Sequence, residues 1–269
     1  MSEALFELKQ VRYSYQGRFP ALEGLDLSIH AGQMVALMGA NGSGKSTLLN
    51  LLDALIFADS GSLLYLGREL KERDLEDEAF SLAFRRQVGL VFQNPDAQLF
   101  CPTVREDIAF GPLQLGVGLA EVEARVSRLS QELGIAHLLD RAPHQLSLGE
   151  RRKVAFASTL AVDSQVLLLD EPTAGLDPAT AAHLLEMLLK ASAQGKTIVT
   201  ATHDIHIVED ISDMVYVFGQ DRRIAGQGSP QQVMADTALL KACNLIHAHP
   251  HRHQGQVHAH PHQHLEHHA

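Results

Sequence analysis

The sequence predicts an α/β protein built on a mostly parallel sheet, and three observations predict it. Short apolar runs of strand length (MVALMG, VGLVF, VLLLD, TIVTATH, MVYVF) alternate with stretches of helical spacing such as ATAAHLLEMLLKASAQ, the rhythm of buried parallel strands joined by helical crossovers. One of these runs, MVALMG, passes through glycines directly into the helical stretch STLLNLLDALIF, so a strand, a tight loop and a helix follow in order. Ahead of them the chain reads as strands and turns, LFELKQVRYSY, a loop QGRFPALEG, LDLSI and the turn HAG, which places antiparallel strands before the parallel core.

Further along, SLLYL and VGLVF read as strands. Residues from about 94 to 158 then break the rhythm. No strand-like run lies between VGLVF and VLLLD, and AEVEARVSRLSQELG sets Val122, Val126, Leu129 and Leu133 on one helical face. This stretch is expected to be a helical insert. After MVYVF, SPQQVMADTALLKACNL places a Ser cap before Pro and predicts a short terminal helix, with globular structure ending near Leu245. Ten of the 16 histidines crowd into residues 247–269. The expected organisation is therefore one domain over 1–246 and a flexible histidine-rich tail over 247–269.

Composition narrows the function classes. At 269 residues the chain is long enough to bury a core without staples. Lys plus Arg is 22 against 32 Asp plus Glu, a net charge of −10, the wrong sign for coating nucleic acid. No apolar run approaches the ~20 residues that cross a bilayer, and MSEALFELKQ has neither the basic nor the apolar region of a secretory leader. A cytosolic chain is expected. Cys101 and Cys243 stand far apart without metal-ligand spacing and read as ordinary thiols.

Chemistry concentrates in a few places. Gly39-Ala40-Asn41-Gly42-Ser43-Gly44-Lys45-Ser46 fits G-x-x-x-x-G-K-[ST] between a strand and a helix, the context of a phosphate-binding loop. Glycines let backbone N–H groups approach phosphate oxygens, and the helix N-terminus adds a favourable dipole. Gly39, Asn41, Gly42, Ser43, Gly44, Lys45, Ser46 and Thr47 are thus expected to cradle a nucleotide, with Lys45 on the β- and γ-phosphates and the Ser46 hydroxyl on Mg²⁺. A glycine turn into a helix is the bland alternative. Asp170 ends the apolar strand VLLLD and Glu171 follows at once. A carboxylate at a buried strand end beside a phosphate loop can hold the Mg²⁺ shell, and a second can polarise water.

Beyond these two motifs the chain carries Gln93 after a strand, Leu146-Ser147-Leu148-Gly149-Glu150, Ala174-Gly175-Leu176-Asp177, and His203 after TIVTAT. In this order they resemble the motifs of the nucleotide-binding subunits of ABC transporters, and the resemblance covers essentially everything but the tail. It implies the ABC ATPase version of the P-loop NTPase fold: a RecA-like mixed sheet, antiparallel strands leading into it, and a helical subdomain. It implies ATP hydrolysis with ATP and Mg²⁺ as cofactors, Tyr15 stacking on adenine, and Gln93 sensing Mg²⁺ and water at the hinge of the insert. His203 would touch the γ-phosphate, and Asp177 would cross to a second ATPase subunit. Read alone, each is blander: a strand aromatic like Tyr13, a strand-end glutamine, a structural histidine, a helix cap. In the signature segment Leu148 and Glu150 stand where the family usually has Gly and Gln, while Ser147 and Gly149 remain to close on the opposite protomer's γ-phosphate. Arg151, Arg152 and Lys153 are expected to offset the charge of Glu150.

Phe92-Gln93-Asn94-Pro95-Asp96-Ala97-Gln98-Leu99-Phe100 and the following Thr103–Pro112 are similar to the ATPases of energy-coupling-factor importers for vitamins, cobalt or nickel. This resemblance implies a transmembrane coupling protein and a substrate-binding membrane protein as partners, no nucleic acid, and a peripheral place on the cytoplasmic face of the membrane. In the tail, His247-Ala248-His249-Pro250-His251-Arg252-His253 recurs as His258-Ala259-His260-Pro261-His262-Gln263-His264. Alternating imidazoles can bind Ni²⁺, Co²⁺, Cu²⁺ or Zn²⁺. The rival readings of the tail are low-complexity sequence or a purification-tag remnant. For the whole chain the favoured expectation is a cobalt or nickel importer ATPase; the alternatives are an ATPase for a vitamin or other solute, or a soluble ABC ATPase. A single cassette with net charge −10 argues against the last.

Overall fold

The structure, a computed structural model, describes residues 4–246, 248–253 and 256–261. Two long antiparallel strands open it, β1 (Ala4–Tyr15) and β2 (Phe19–His30). The turn between them is only Gln16 to Arg18, shorter than the loop the sequence suggests. Ala21 and Leu22 are buried and Tyr13 pairs with Leu22, so burial draws the FPAL stretch into the ladder. With β4 (Ser60–Tyr65) and β5 (Arg68–Glu69) they form a four-stranded sheet in the order β2-β1-β4-β5.

The central sheet has six strands in the order β10-β9-β3-β8-β7-β6. Its members are β3 (Met34–Met38), β6 (Val88–Val91), β7 (Val166–Asp170), β8 (Thr197–Thr202), β9 (Met214–Phe218) and β10 (Ile224–Gly228). All neighbours are parallel except β9 and β10. β3, β7 and β8 are buried at every residue, which is why they read as apolar runs without polar alternation, broken only by the threonines of β8 and by Asp170 at the end of β7.

Between the two sheets lies α1 (Lys45–Leu52), whose Leu48, Leu49, Leu51 and Leu52 are fully enclosed. Each such leucine contributes about 2 kcal/mol by burial. The helix stops earlier than its apolar sequence suggests. Arg85, on α2 (Glu78–Gln87), donates to the Asp53 carbonyl at 2.7 Å and to its carboxylate at 3.2 Å, taking the acceptor that a further turn would need, and Ala54 turns to φ 52°.

The insert is helical, as its spacing predicts: α3 (Val104–Gln114), α4 (Leu119–Glu132) and α5 (Leu148–Val162). Val122, Val126, Leu129 and Leu133 share a second core with Leu167 and Leu169 of β7 and with α6 (Pro178–Ala193). After α7 (Ile205–Ile211), the expected terminal helix is two, α8 (Pro230–Ala235) and α9 (Thr237–Ala242). Ser229 caps the first as anticipated, and Asp236 interrupts the run by capping the second. Where the sequence suggests only a flexible tail, β11 (Ala248–His253) and β12 (Gln256–Pro261) pair antiparallel, His249 opposite His260 and His251 opposite His258. Alternate histidines have the strand period of two, which this ladder uses. His247, His262 and His264 lie outside the described residues. Both cysteines are free.

Candidate nucleotide site

The loop from Gly39 to Gly44 turns the chain from β3 into α1. It needs glycine at its ends for steric reasons. A Cβ on Gly39 would stand 2.5 Å from Ser43 Oγ and 2.9 Å from Phe218 Cβ; one on Gly44, at φ +110°, would stand 2.6 Å from the Ala21 carbonyl oxygen. Lys45 is buried, and its ammonium donates to the carbonyls of Gly39 at 2.7 Å and Ala40 at 3.1 Å. Burial pulls its pKa down, while Glu171 and Asp170 favour the charged form.

Parallel pairing of β7 beside β8 brings the second motif to the same end of the sheet. Asp170 is buried at the end of β7. Desolvation raises its pKa, and a hydrogen bond from Ser46 and the charge of Lys45 oppose the rise. Its Oδ1 is buried without a partner among the described residues. A hydroxyl and a carboxylate with an unfilled oxygen, both hard ligands, fit a hydrated Mg²⁺, so Ser46 and Asp170 are suited to hold one.

Glu171 follows with φ +50°, a conformation that L residues other than Gly rarely hold. Its backbone N–H donates to Ala201 at 2.9 Å, Oε1 lies 2.7 Å from His203 Nδ1, and Oε2 is 3.4 Å from Thr202 Oγ1. The carboxylate is buried, whereas about half of the histidine side chain faces solvent. The pair can therefore position a carboxylate beside water and a histidine beside an anion.

Lys45, Ser46, Thr47, Asn41, Gly42, Gly44, Gln93, Asp170, Glu171 and Tyr15 line one cavity of about 490 Å³. Tyr15 and Tyr13 are two residues apart on β1, and packing separates them. Tyr15 is 41% exposed with its hydroxyl 3.2 Å from Thr47 Oγ1, and Tyr13 packs edge-on against it and onto the core. Phe19 and Arg222 also line the cavity. Sequence reading missed both, since Phe19 lay in an apparent loop and Arg222 comes from the β9–β10 turn with no motif around it.

Ser147, Gly149 and Asp177 are not among the residues lining that cavity. Ser147 caps α5: its hydroxyl and N–H both donate to Glu150 Oε2 at 2.7 Å, and it accepts from the Glu150 N–H at 3.3 Å. This reciprocal cap accounts for Glu150, because a carboxylate in the first helical turn suits the N-terminal dipole. The bonds from Ser147 hold the Glu150 carboxyl below its ordinary pKa, with Arg141 and His137 assisting. The expected charge offset by residues 151–153 is not what forms. Arg151 donates to Leu146 and pairs with Asp96, and Arg152 borders a small space that Glu171 also lines. Leu148 is 46% exposed, and the space around Gly149 is open. Asp177 caps α6, accepting from Thr180 N at 3.0 Å and Oγ1 at 2.6 Å, which keeps its pKa low.

A family model described as ABC transporter matches residues 22–174. The nickel import ATP-binding protein NikO of Rhodobacter capsulatus is 48% identical over 244 residues, 90% of this chain and 95% of that protein. The energy-coupling factor transporter ATP-binding protein EcfA of Methanothermobacter thermautotrophicus is 40% identical over 90% of this chain and 76% of its own length. Among solved structures, cbiO1 of Clostridium perfringens, part of the ABC transporter complex cbiONQ, superposes with a TM-score of 0.73 at 34% identity, covering 91% of this chain and 96% of that one. The fold, the phosphate loop and these relatives agree: the chain belongs to the ABC transporter family, as an ATP-hydrolysing subunit of the energy-coupling-factor type.

Proposed function

We propose that this subunit powers import of nickel or cobalt, as one of two ATPases on the cytoplasmic face of the membrane beneath a transmembrane coupling protein and a substrate-binding membrane protein. For the chemistry, the observation that carries the reading is the convergence of Lys45, Ser46, Asp170 and Glu171 on one cavity with Gln93 and Tyr15 at its walls. Tyr15 stacks on adenine, Lys45 and the loop N–H groups hold the phosphates, and Ser46, Asp170 and Gln93 hold Mg²⁺. Glu171 polarises the attacking water, and His203 orients Glu171 and meets the γ-phosphate. Ser147, Gly149 and Asp177 serve the nucleotide of the second subunit. Mg²⁺ supplies charge neutralisation at the β- and γ-phosphates.

For the cargo, support comes from NikO and cbiO1 among the relatives and from the histidine repeats of the tail. Among the described residues no helix is long and apolar enough to cross a membrane, in keeping with a peripheral subunit. The similarity to EcfA, whose name specifies no cargo, favours the second reading, an ATPase for a vitamin or another solute. Vesicles reconstituted with this chain and its membrane partners decide between them. ATP-dependent uptake of ⁶³Ni²⁺ or ⁵⁷Co²⁺ is expected; uptake of a vitamin without either metal would move the assignment to the second reading.

Docking of the coupling protein is assigned to the groove where the insert meets the core. It has a volume of about 420 Å³ and is lined by Leu55, Arg85, Phe92, Phe100, Phe110 and Asp53, whose carboxyl burial pushes up to about 7 against the pull of Arg85. Phe100 is 67% exposed and Phe110 40%, stacked edge to face at 4.9 Å. Leu99, next to Phe100 in the chain, packs into the helical core instead. Phe100→Glu with Phe110→Glu is expected to remove most coupled uptake while basal hydrolysis stays within about twofold, since neither ring touches the nucleotide cavity. Unchanged uptake would place docking elsewhere.

The tail is assigned a metal-buffering role through His247, His249, His251, His253, His258, His260, His262 and His264. Imidazole, with an ordinary pKa near ~6.5, is mostly neutral and ligand-competent at neutral pH. Removing residues 247–269 is expected to leave hydrolysis intact and to abolish most Ni²⁺ binding measured by calorimetry. Binding by the intact chain is expected to fall as pH drops through 6, because protons compete for the same nitrogens. Equal Ni²⁺ binding with and without the tail would leave it as low-complexity sequence.

A further inference from the structure

Three arginines or lysines follow Glu150 on α5, and their fates differ. Arg151 donates through Nη1 to the Leu146 carbonyl at 2.8 Å, and its Nε lies 3.0 Å from the Asp96 carboxylate in an ion pair. Arg152 turns inward. Its Nε and Nη1 are buried with no hydrogen-bond partner among the described residues. The guanidinium lies under the turn after β7, so close that a Cβ on Gly175 would stand 3.7 Å from its Cζ and Nη1. It also borders a small, partly open space of about 20 Å³ shared with Gln93, Asp170, Glu171, Leu176 and Lys153. Burial disfavours the charged form of Arg152 and attraction to Glu171 favours it.

A cation withdrawn from water with unfilled donors is costly unless a nearby anion answers it. Arg152 shares the lining of that space with two carboxylates, Asp170 and Glu171, and one further cation, Lys153, and its attraction to Glu171 acts across the space without a direct hydrogen bond from the buried Nε and Nη1. It does not line the nucleotide cavity. Its place is between two parts of the machinery: α5, whose first residue is capped by Ser147, and the strand-end turn that carries Glu171 and Gly175. If the side chain served only to cover apolar surface with its stem, its head would reach solvent, and Nε and Nη1 do not.

We propose that Arg152 is a positioning residue for hydrolysis, its guanidinium packed beneath the Gly175 turn and attracting the Glu171 carboxylate across the space they share, so that both are tied to the signature helix α5. A shift of α5, as when Ser147 engages a nucleotide, is thereby transmitted to Glu171 within the same chain. This rests on the assignment of Glu171 as the water-polarising group, which Glu171→Gln tests independently of Arg152.

The experiment is steady-state and single-turnover ATP hydrolysis by the full-length chain carrying Arg152→Met, Arg152→Gln or Arg152→Lys, with folding checked by circular dichroism. Loss of the guanidinium is expected to lower kcat by between about 10- and 100-fold, the scale on which misplacing a catalytic group acts. KM for ATP should stay within about twofold, and Arg152→Lys should recover a substantial part of the rate by keeping the charge. The discriminating measurement is the double variant with Glu171→Gln. If Arg152 acts through Glu171, adding Arg152→Met changes the residual single-turnover rate by less than about twofold, whereas a purely structural role gives the full loss again. Unchanged kcat in both the Met and Gln variants, a KM effect with kcat preserved, or full additivity with Glu171→Gln would each overturn the proposal. A folding defect in one neutral variant leaves the other neutral variant and Arg152→Lys to decide it.

Discussion

Glu171→Gln is expected to reduce steady-state ATP turnover by about 10²-fold or more, the contribution of a positioned base, while nucleotide binding persists. Amide for carboxylate keeps the shape of the side chain and its contact with His203, 2.7 Å away in the native chain, and removes the group that accepts a proton from water. The phosphate loop, Lys45 and Ser46 are untouched, so ATP should still bind and, with turnover blocked, accumulate on the protein. Filter binding of labelled ATP and a phosphate-release assay on the same sample measure both halves. Turnover within about twofold of the native chain would remove Glu171 from its role. His203→Ala should show a smaller loss, because Thr202 still borders Glu171 Oε2.

A second large effect is expected from mixing inactive chains. Lys45 lines the nucleotide cavity, and Ser147, at the N-terminus of α5, is not among its lining residues. If two chains pair so that each lends its Ser147 to the other's nucleotide, Lys45→Ala alone and Ser147→Ala alone each damage both sites. A mixed pair concentrates both losses in one site and leaves the other intact. Random mixing puts half of the pairs in the mixed state, so ATP occlusion should rise from near zero to about a quarter of the native level, by the statistics of independent sites. No rise on mixing, or a nucleotide-bound structure with Lys45 and Ser147 of one chain on the same phosphate, would overturn the shared-site arrangement.

Legibility in the sequence followed the range of the interactions involved. The phosphate loop is a local object, a strand, glycines and a helix contiguous in the chain, and the steric demand at Gly39 and Gly44 is written in residue types. The same holds for Asp170 and Glu171, adjacent at a strand end, and for the Ser147 cap with Glu150 three residues on. The buried stripe of α4 was visible because helical period and burial coincide. Motif order then carried Gln93 and His203, which no local pattern distinguishes from ordinary strand-end residues.

What the sequence alone determined was the class of sheet, the helical insert, the glycine loop between β3 and α1 and the pair of carboxylates at the end of β7, all set by contiguous residues or by the period of apolar positions. Only the tertiary structure decided what depends on partners distant in the chain. Phe19 and Arg222 reach the cavity because β2 and the β9–β10 turn come together there. Tyr15 rather than Tyr13 stands beside Thr47, although period two gives both the same strand face. α1 ends at Leu52 because Arg85, 32 residues beyond Asp53, captures its carbonyl. Leu99 turns into the helical core while Phe100 stays outside. Arg152, one of three consecutive basic residues, sets its guanidinium beneath the turn that holds Glu171, where Gly175 leaves room for it. Such choices are made by close packing between elements, which a one-dimensional pattern of residue types does not encode.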